Sequence, residues 1–144
     1  KGHTAGAVLA FSVVAAQLPH QDKILSEGQS VFDAIDYASE HYPEQKYLAD
    51  FNYGGQVIYR TFGQLPFMMD SRAGTVYPEQ VIKDYVTFMY QNTGSMEVLA
   101  HYGIDVLIIS NAARFAQGYE KGQFRDHWKL VFAGKAASVY IAHP

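Results

Sequence analysis

Residues Ile104 to Ile109, IDVLII, decide the fold. The run has strand length and is apolar almost throughout, as a strand covered by helices on both faces requires. Just ahead of it, Tyr102-Gly103 supplies a helix stop, since glycine accepts the left-handed geometry of a C-terminal cap. Ser95 is placed to cap the short helix that ends there, after a turn at Asn92-Thr93-Gly94. Further upstream, Tyr77-Pro78-Glu79 opens the clearest helix of the chain. Val81, Ile82, Tyr85, Val86, Met89 and Tyr90 form its apolar stripe, with Lys83, Asp84 and Thr87 on the other side. Downstream, Asn111 to Gln117 reads as helix and Gly118 and Gly122 as the loop after it. Trp128 to Phe132 and Ala137 to Ile141 read as two strands around Gly134-Lys135, a tight hairpin signal.

The N-terminal half alternates in the same way. Ser30 followed by Asp33 predicts a capping box, and Val31, Phe32, Ile35 and Ala38 share one helical face. That helix should end near His41, because Pro43 disfavours helical geometry before it. Lys46 to Phe51 reads as a strand, Gln56 to Thr61 after Gly54-Gly55 as a short helix, and Pro66 to Met69 as a second strand. The order predicts an α/β fold with three layers: a mixed, mostly parallel sheet, a C-terminal antiparallel hairpin, and helices on the faces. Residues 21–144 form one such domain. Residues 1–20 are set apart by an uncharged stretch from Thr4 to Leu18, closed by Pro19-His20-Gln21-Asp22. This stretch is shorter than the roughly 20 apolar residues of a spanning helix. It fits a buried strand or core helix, and equally the end of a transmembrane helix in a longer protein, since the sequence starts at Lys1 and not Met.

Composition excludes several functions. The 144 residues are 49% hydrophobic and 17% charged, enough apolar side chain to bury a core. The 11 basic and 14 acidic residues leave a net charge of −3, so no nucleic-acid partner is expected. With no Cys there are no disulfides, thiolate metal sites or cysteine nucleophiles. None of the six His stands at a helical metal-pair spacing and no Ser lies in a nucleophile elbow, so neither a metal nor a catalytic residue is assigned. Gly54-Gly55 lacks the surrounding glycines and lysine of a dinucleotide or phosphate loop, so a tight turn is the simpler reading and no cofactor is expected. One polar crevice stands out. Asp70-Ser71-Arg72 follows a strand end, where open α/β sheets bind ligands, and Arg72 offers a bidentate fork. Asp50 and Asn52 follow another strand end, so the four converge if the two strands are neighbours. The competing reading is an ion pair that clamps the loop. Tyr85, Phe88 and Tyr90 fit core or a partner surface.

In order along the chain come Phe51-Asn52-Tyr53-Gly54-Gly55, then Pro66-Phe67-Met68-Met69-Asp70-Ser71-Arg72, Tyr102-Gly103-Ile104-Asp105, and Trp128-Lys129-Leu130-Val131-Phe132. This series, from Lys46 to Ile141, resembles the C-terminal extracytoplasmic domain of bacterial multi-pass membrane proteins related to the type C glycosyltransferases. Ser71 stands where that pattern has glycine. The resemblance implies polyprenyl-phosphate-linked sugar donors and a bacterial inner-membrane protein with this domain facing the periplasm or cell exterior. It implies that catalysis lies in the membrane part of the same polypeptide, so that this domain does no catalysis of its own. It also makes Thr4–Leu18 the tail of the last transmembrane helix or the residues just past it. The expected partners are that membrane part and a lipid-linked sugar or glycan acceptor. The substrate-binding candidates are Asn52, Tyr53, Gly54, Gly55, Asp70 and Arg72. A free-standing α/β small-ligand binder or enzyme, and a protein-interaction module, remain alternatives. A chain beginning at Gln21 is expected to keep the hydrogen-exchange protection of the full chain while losing its need for detergent. Loss of protection on that truncation would make Thr4–Leu18 a core element.

Overall fold

The computed structural model describes residues 30–61, 63–64, 68–69, 76–90 and 93–143. The chain runs from helix α1 over residues 30–41 to strand β1 (Tyr47–Ala49), then through a 3-10 turn (Phe51–Tyr53) into helix α2 (Gly54–Thr61). Helices α3 (Glu79–Tyr90) and α4 (Ser95–Tyr102) follow, then strand β2 (Val106–Ser110) and helix α5 (Arg114–Glu120). Strands β3 (Trp128–Ala133) and β4 (Ala137–Ala142) form the C-terminal hairpin. The sheet order is β1-β2-β4-β3, parallel at β1·β2 and antiparallel at the other two pairings. The α/β class and the hairpin agree with the sequence. Among the described residues the parallel share is one pairing, because β4 docks antiparallel on β2 and brings β3 with it. The mostly parallel expectation had counted Pro66 to Met69 as a strand. Pro66 and Phe67 lie outside the described residues, as do 1–29; Met68 N–H donates to the Tyr47 carbonyl at 2.9 Å, on the edge of β1 away from β2.

Side-chain alternation along β2 divides the core in two. Leu107 and Ile109 join Leu48, Trp128 and Tyr140 beneath Tyr85 and Phe88 of α3, Leu99 of α4 and Phe115 of α5. Val106 and Ile108 join Tyr47, Ala49 and Val139 beneath Ile35 of α1 and Val57 of α2. Helices therefore cover both faces, the three layers expected from the IDVLII run. At roughly 1.5–3 kcal/mol per buried aliphatic side chain, these four β2 residues outweigh the exposed ion pairs Arg60–Asp36 and Lys83–Glu79. Tyr47 also carries a polar tie. Its hydroxyl reaches the Ala38 and Tyr42 carbonyls at 2.8 and 2.6 Å, anchoring the end of α1, and burial pushes its pKa up.

Several local expectations shift. Ser30 does not cap its own helix: it is already helical, and its Oγ accepts the Ala136 N–H at 2.8 Å. Gly94, with φ 86°, takes the N-cap of α4 in place of Ser95, while Gly103, with φ 62°, closes that helix as expected. The helix after β2 starts at Arg114 and includes Gly118, because Asn111 is engaged elsewhere. The Asn111 side-chain amide donates to the Gly134 and Lys135 carbonyls at 2.8 and 3.1 Å, and its oxygen accepts the Ser138 hydroxyl at 2.7 Å. The α3 stripe splits: Tyr85 is buried, whereas Val86 and Tyr90 are 42% and 65% exposed, and Phe88, outside the expected stripe, is buried as well. Tyr102 bridges α4 to α3 by donating to Asp84 at 2.7 Å, which raises its own pKa to about 12 and lowers that of Asp84.

The hairpin glycine is required by space and not by handedness. Gly134 is not among the residues with positive φ, but a Cβ there would run into the Ala137 carbonyl oxygen and lie 3.1 Å from the Phe132 ring. Backbone cannot yield as a flexible side chain can. Gly134→Ala is therefore expected to destabilise the protein by about 1–3 kcal/mol, the usual effect of overpacking. Chemical denaturation of the two proteins checks it.

Candidate functional site

The segment after β1 reads DFNYGG, and its polar groups decide how the strand ends. The Asp50 N–H donates to the Ile108 carbonyl at 3.0 Å, which keeps the residue on the sheet. Its carboxylate Oδ1 then accepts the Asn52 N–H at 3.2 Å, and the Tyr53 N–H donates to the Asp50 carbonyl at 2.8 Å. This is the short Asp-led turn that an Asx side chain favours. The Gln56 side-chain amide, oriented towards two carbonyls, donates to those of Asn52 and Tyr53 at 2.7 and 3.2 Å. Gly54, with φ −54° and ψ −42°, is helical, so Gly54 and Gly55 form the first turn of α2 instead of the expected tight turn.

Beside this turn lies a cleft of about 200 Å³, at the C-terminal end of β1. Asp50, Phe51, Asn52 and Met69 form one side. The other side is α3, through Ile82, Tyr85, Val86, Met89 and Tyr90. The Phe51 and Tyr85 rings stand 6.4 Å apart at 55°. The Tyr85 hydroxyl donates to the Ala49 carbonyl at 3.2 Å, so α3 is tied to the last residue of the strand. Burial, and secondarily the negative charge of Asp50, push the Tyr85 pKa up. A larger apolar groove of about 310 Å³, lined by Leu99, Ile104 and Trp128 among others, lies at the start of β2 and β3. The smaller cleft is the better candidate, because it sits outside the carboxyl end of a strand and contains a buried carboxylate.

Of the predicted residues, Asn52 lines the cleft. Tyr53 packs against the opposite core with Val57 and Ile108. Gly54 is buried at the start of α2, and Gly55 is exposed on it. Asp70 and Arg72 lie outside the described residues, so of the expected convergence the structure describes the Asp50–Asn52 half. Sequence reasoning missed Phe51, Met69 and the α3 wall. One signal was available: a stripe that includes Val86 and Tyr90 is wider than one core needs. Among the described residues, no group of three or more His, Asp or Glu gathers to hold a metal ion, and no helix is long and apolar enough to cross a membrane.

No family model matches the chain, and no curated protein is similar to it in sequence. Among solved structures it is similar to the C-terminal globular domain of an oligosaccharyltransferase from Archaeoglobus fulgidus. The TM-score is 0.56 at 9% sequence identity, over 77% of this chain and 95% of that one. At that identity the likeness is one of fold.

Tyr85→Phe tests the tie between cleft wall and strand. It removes the donor to a buried carbonyl and should lower stability by about 1–2 kcal/mol near neutral pH. Because the folded-state Tyr85 pKa is raised above its ordinary 10.0, its contribution is intact below that pH and lost as pH rises through the raised value. The variant should therefore lose less stability than the parent protein above pH 10.0. Denaturant midpoints on both sides of that pH check the sign.

Proposed function

We propose that this chain is the extracytoplasmic domain of a polytopic type C glycosyltransferase, serving the acceptor or partner side and performing no catalysis itself. The observation that carries the proposal is the fold likeness to a C-terminal globular oligosaccharyltransferase domain. The uncharged Thr4–Leu18 stretch ahead of the domain supports it, as the end of a membrane helix leading into the fold. On this reading the domain faces the periplasm or cell exterior, and the membrane part of the same polypeptide carries the catalytic acid and the lipid-linked sugar.

The domain's contribution is positioning. A cleft at a strand end holds an acceptor against a rigid sheet, and pre-paid orientation is worth several kcal/mol of barrier. Asn52 offers both an amide donor and a carbonyl acceptor, and Asp70 with Arg72 would present a carboxylate and a guanidinium fork to hydroxyl groups. The cleft equally suits a small-ligand-binding domain, a reading favoured by the buried Asp50 carboxylate on its wall.

The test is made in the intact protein. Its coding region upstream of Lys1 is expected to contain several apolar segments of about 20 residues. In membranes supplied with a lipid-linked sugar, Asn52→Ala and Arg72→Ala should each lower transfer about tenfold, or 1.4 kcal/mol, with an unchanged unfolding midpoint. Absence of such segments, or unchanged transfer, would overturn the proposal. Marked unfolding on Arg72→Ala would identify a structural clamp in place of a binding residue.

A further inference from the structure

The cleft beside β1 joins a negative charge to aromatic walls. Asp50 is 8% exposed, and Asn52 N–H occupies its Oδ1 at 3.2 Å. Asp50 lines the cleft, and among the described residues no side-chain oxygen or nitrogen sealed from solvent lacks a hydrogen-bond partner. The described ion pairs, Arg60–Asp36 and Lys83–Glu79, do not involve Asp50. No Lys, Arg or His lines the cleft among the described residues.

A carboxylate held against apolar surface lacks most of its hydration and gains most from a cation brought to it. Three aromatic rings line the same space. Phe51 and Tyr85 stand 6.4 Å apart, and Tyr90 is 65% exposed at the end of α3. Aromatic faces attract ammonium groups, and a desolvated site strengthens that attraction. Met69, Ile82 and Met89 supply apolar surface for the carbon stem. The volume of about 200 Å³ is below the roughly 300–1,000 Å³ of a pocket for a whole small molecule, so the cleft seats one group of a larger ligand. Phosphate and carboxylate are repelled by Asp50.

We infer that the cleft binds a primary ammonium group, with Asp50 as its counter-ion and Phe51, Tyr85 and Tyr90 as its aromatic walls. The inference names the chemistry of the acceptor-side cleft and rests on that reading for the ligand that carries the amine. A lysine side chain, an amino sugar and an ethanolamine headgroup share this chemistry.

The test titrates the 144-residue chain, followed by amide NMR, with Nα-acetyl-lysine amide, glucosamine and ethanolamine. Nα-acetyl-norleucine amide, glucose and ethanol serve as their neutral counterparts. Shifts are expected at Asp50–Asn52 and along Tyr85–Tyr90, with at least one amine binding about tenfold tighter than its neutral counterpart. The amine that binds best identifies the source. Asp50→Asn keeps an acceptor for the Asn52 N–H and should abolish the preference for amine over neutral compound. Tyr90→Ala, outside the core, should weaken amine binding several-fold without changing the unfolding midpoint. Equal binding of neutral compounds, an amine preference that survives Asp50→Asn, or no shift with any amine would overturn the inference. Sugar transfer by the intact protein is measured separately. Amine binding without transfer would count against the glycosyltransferase reading alone, and transfer without amine binding against this inference alone.

Discussion

Burial of β2 on both faces is the constraint on which the rest of the structure depends. Val106 and Ile108 must be covered on one side and Leu107 and Ile109 on the other, and all four are fully buried. One helical layer would leave two of them in water, at roughly 25 cal/mol per Å² of apolar surface. That requirement places α1 and α2 opposite α3, α4 and α5. It also brings β1 parallel to β2, since the chain must cross a helical layer to return to the sheet.

The antiparallel half is held by side chains distant in sequence. Ser30 and Asn111 both reach the turn between β3 and β4, the first through Ala136 N–H and the second through the Gly134 and Lys135 carbonyls. The turn carbonyls thus gain donors that a short hairpin cannot supply itself. Gly134 leaves room for the Ala137 oxygen. The outer strand β3 is guarded as well: a register shift between Leu130 and Phe132 interrupts its regularity, and the Tyr119 hydroxyl accepts the Leu130 N–H at 3.1 Å. Both features blunt pairing with another strand.

The cleft follows from where these constraints stop. Asp50 is the last residue tied to β2, and its carboxylate turns the chain out of the sheet into α2. On the other side Tyr85 binds the Ala49 carbonyl, so α3 cannot slide along the sheet. Between them remains a space that neither core fills. Its walls are apolar because α3 presents more hydrophobic surface than the sheet covers, and its charge comes from the residue that ends the strand.

The sequence by itself determined the elements whose signal is local or periodic. The IDVLII strand, the helix after Pro78, the Gly103 stop and the C-terminal hairpin all declare themselves through spacing and backbone preference. Part of the site was legible for the same reason, since Asp50 and Asn52 follow a strand end wherever that strand lies. Tertiary structure alone decided the rest. Whether Ser30 caps its own helix or ties a turn more than a hundred residues away depends on which donor stands nearest in space, here the Ala136 N–H. Whether Tyr53 and Val86 face core or cleft depends on how far the sheet extends beneath them. Neither quantity is written in periodicity, because hydrogen bonds and buried area are settled by neighbours distant in the chain.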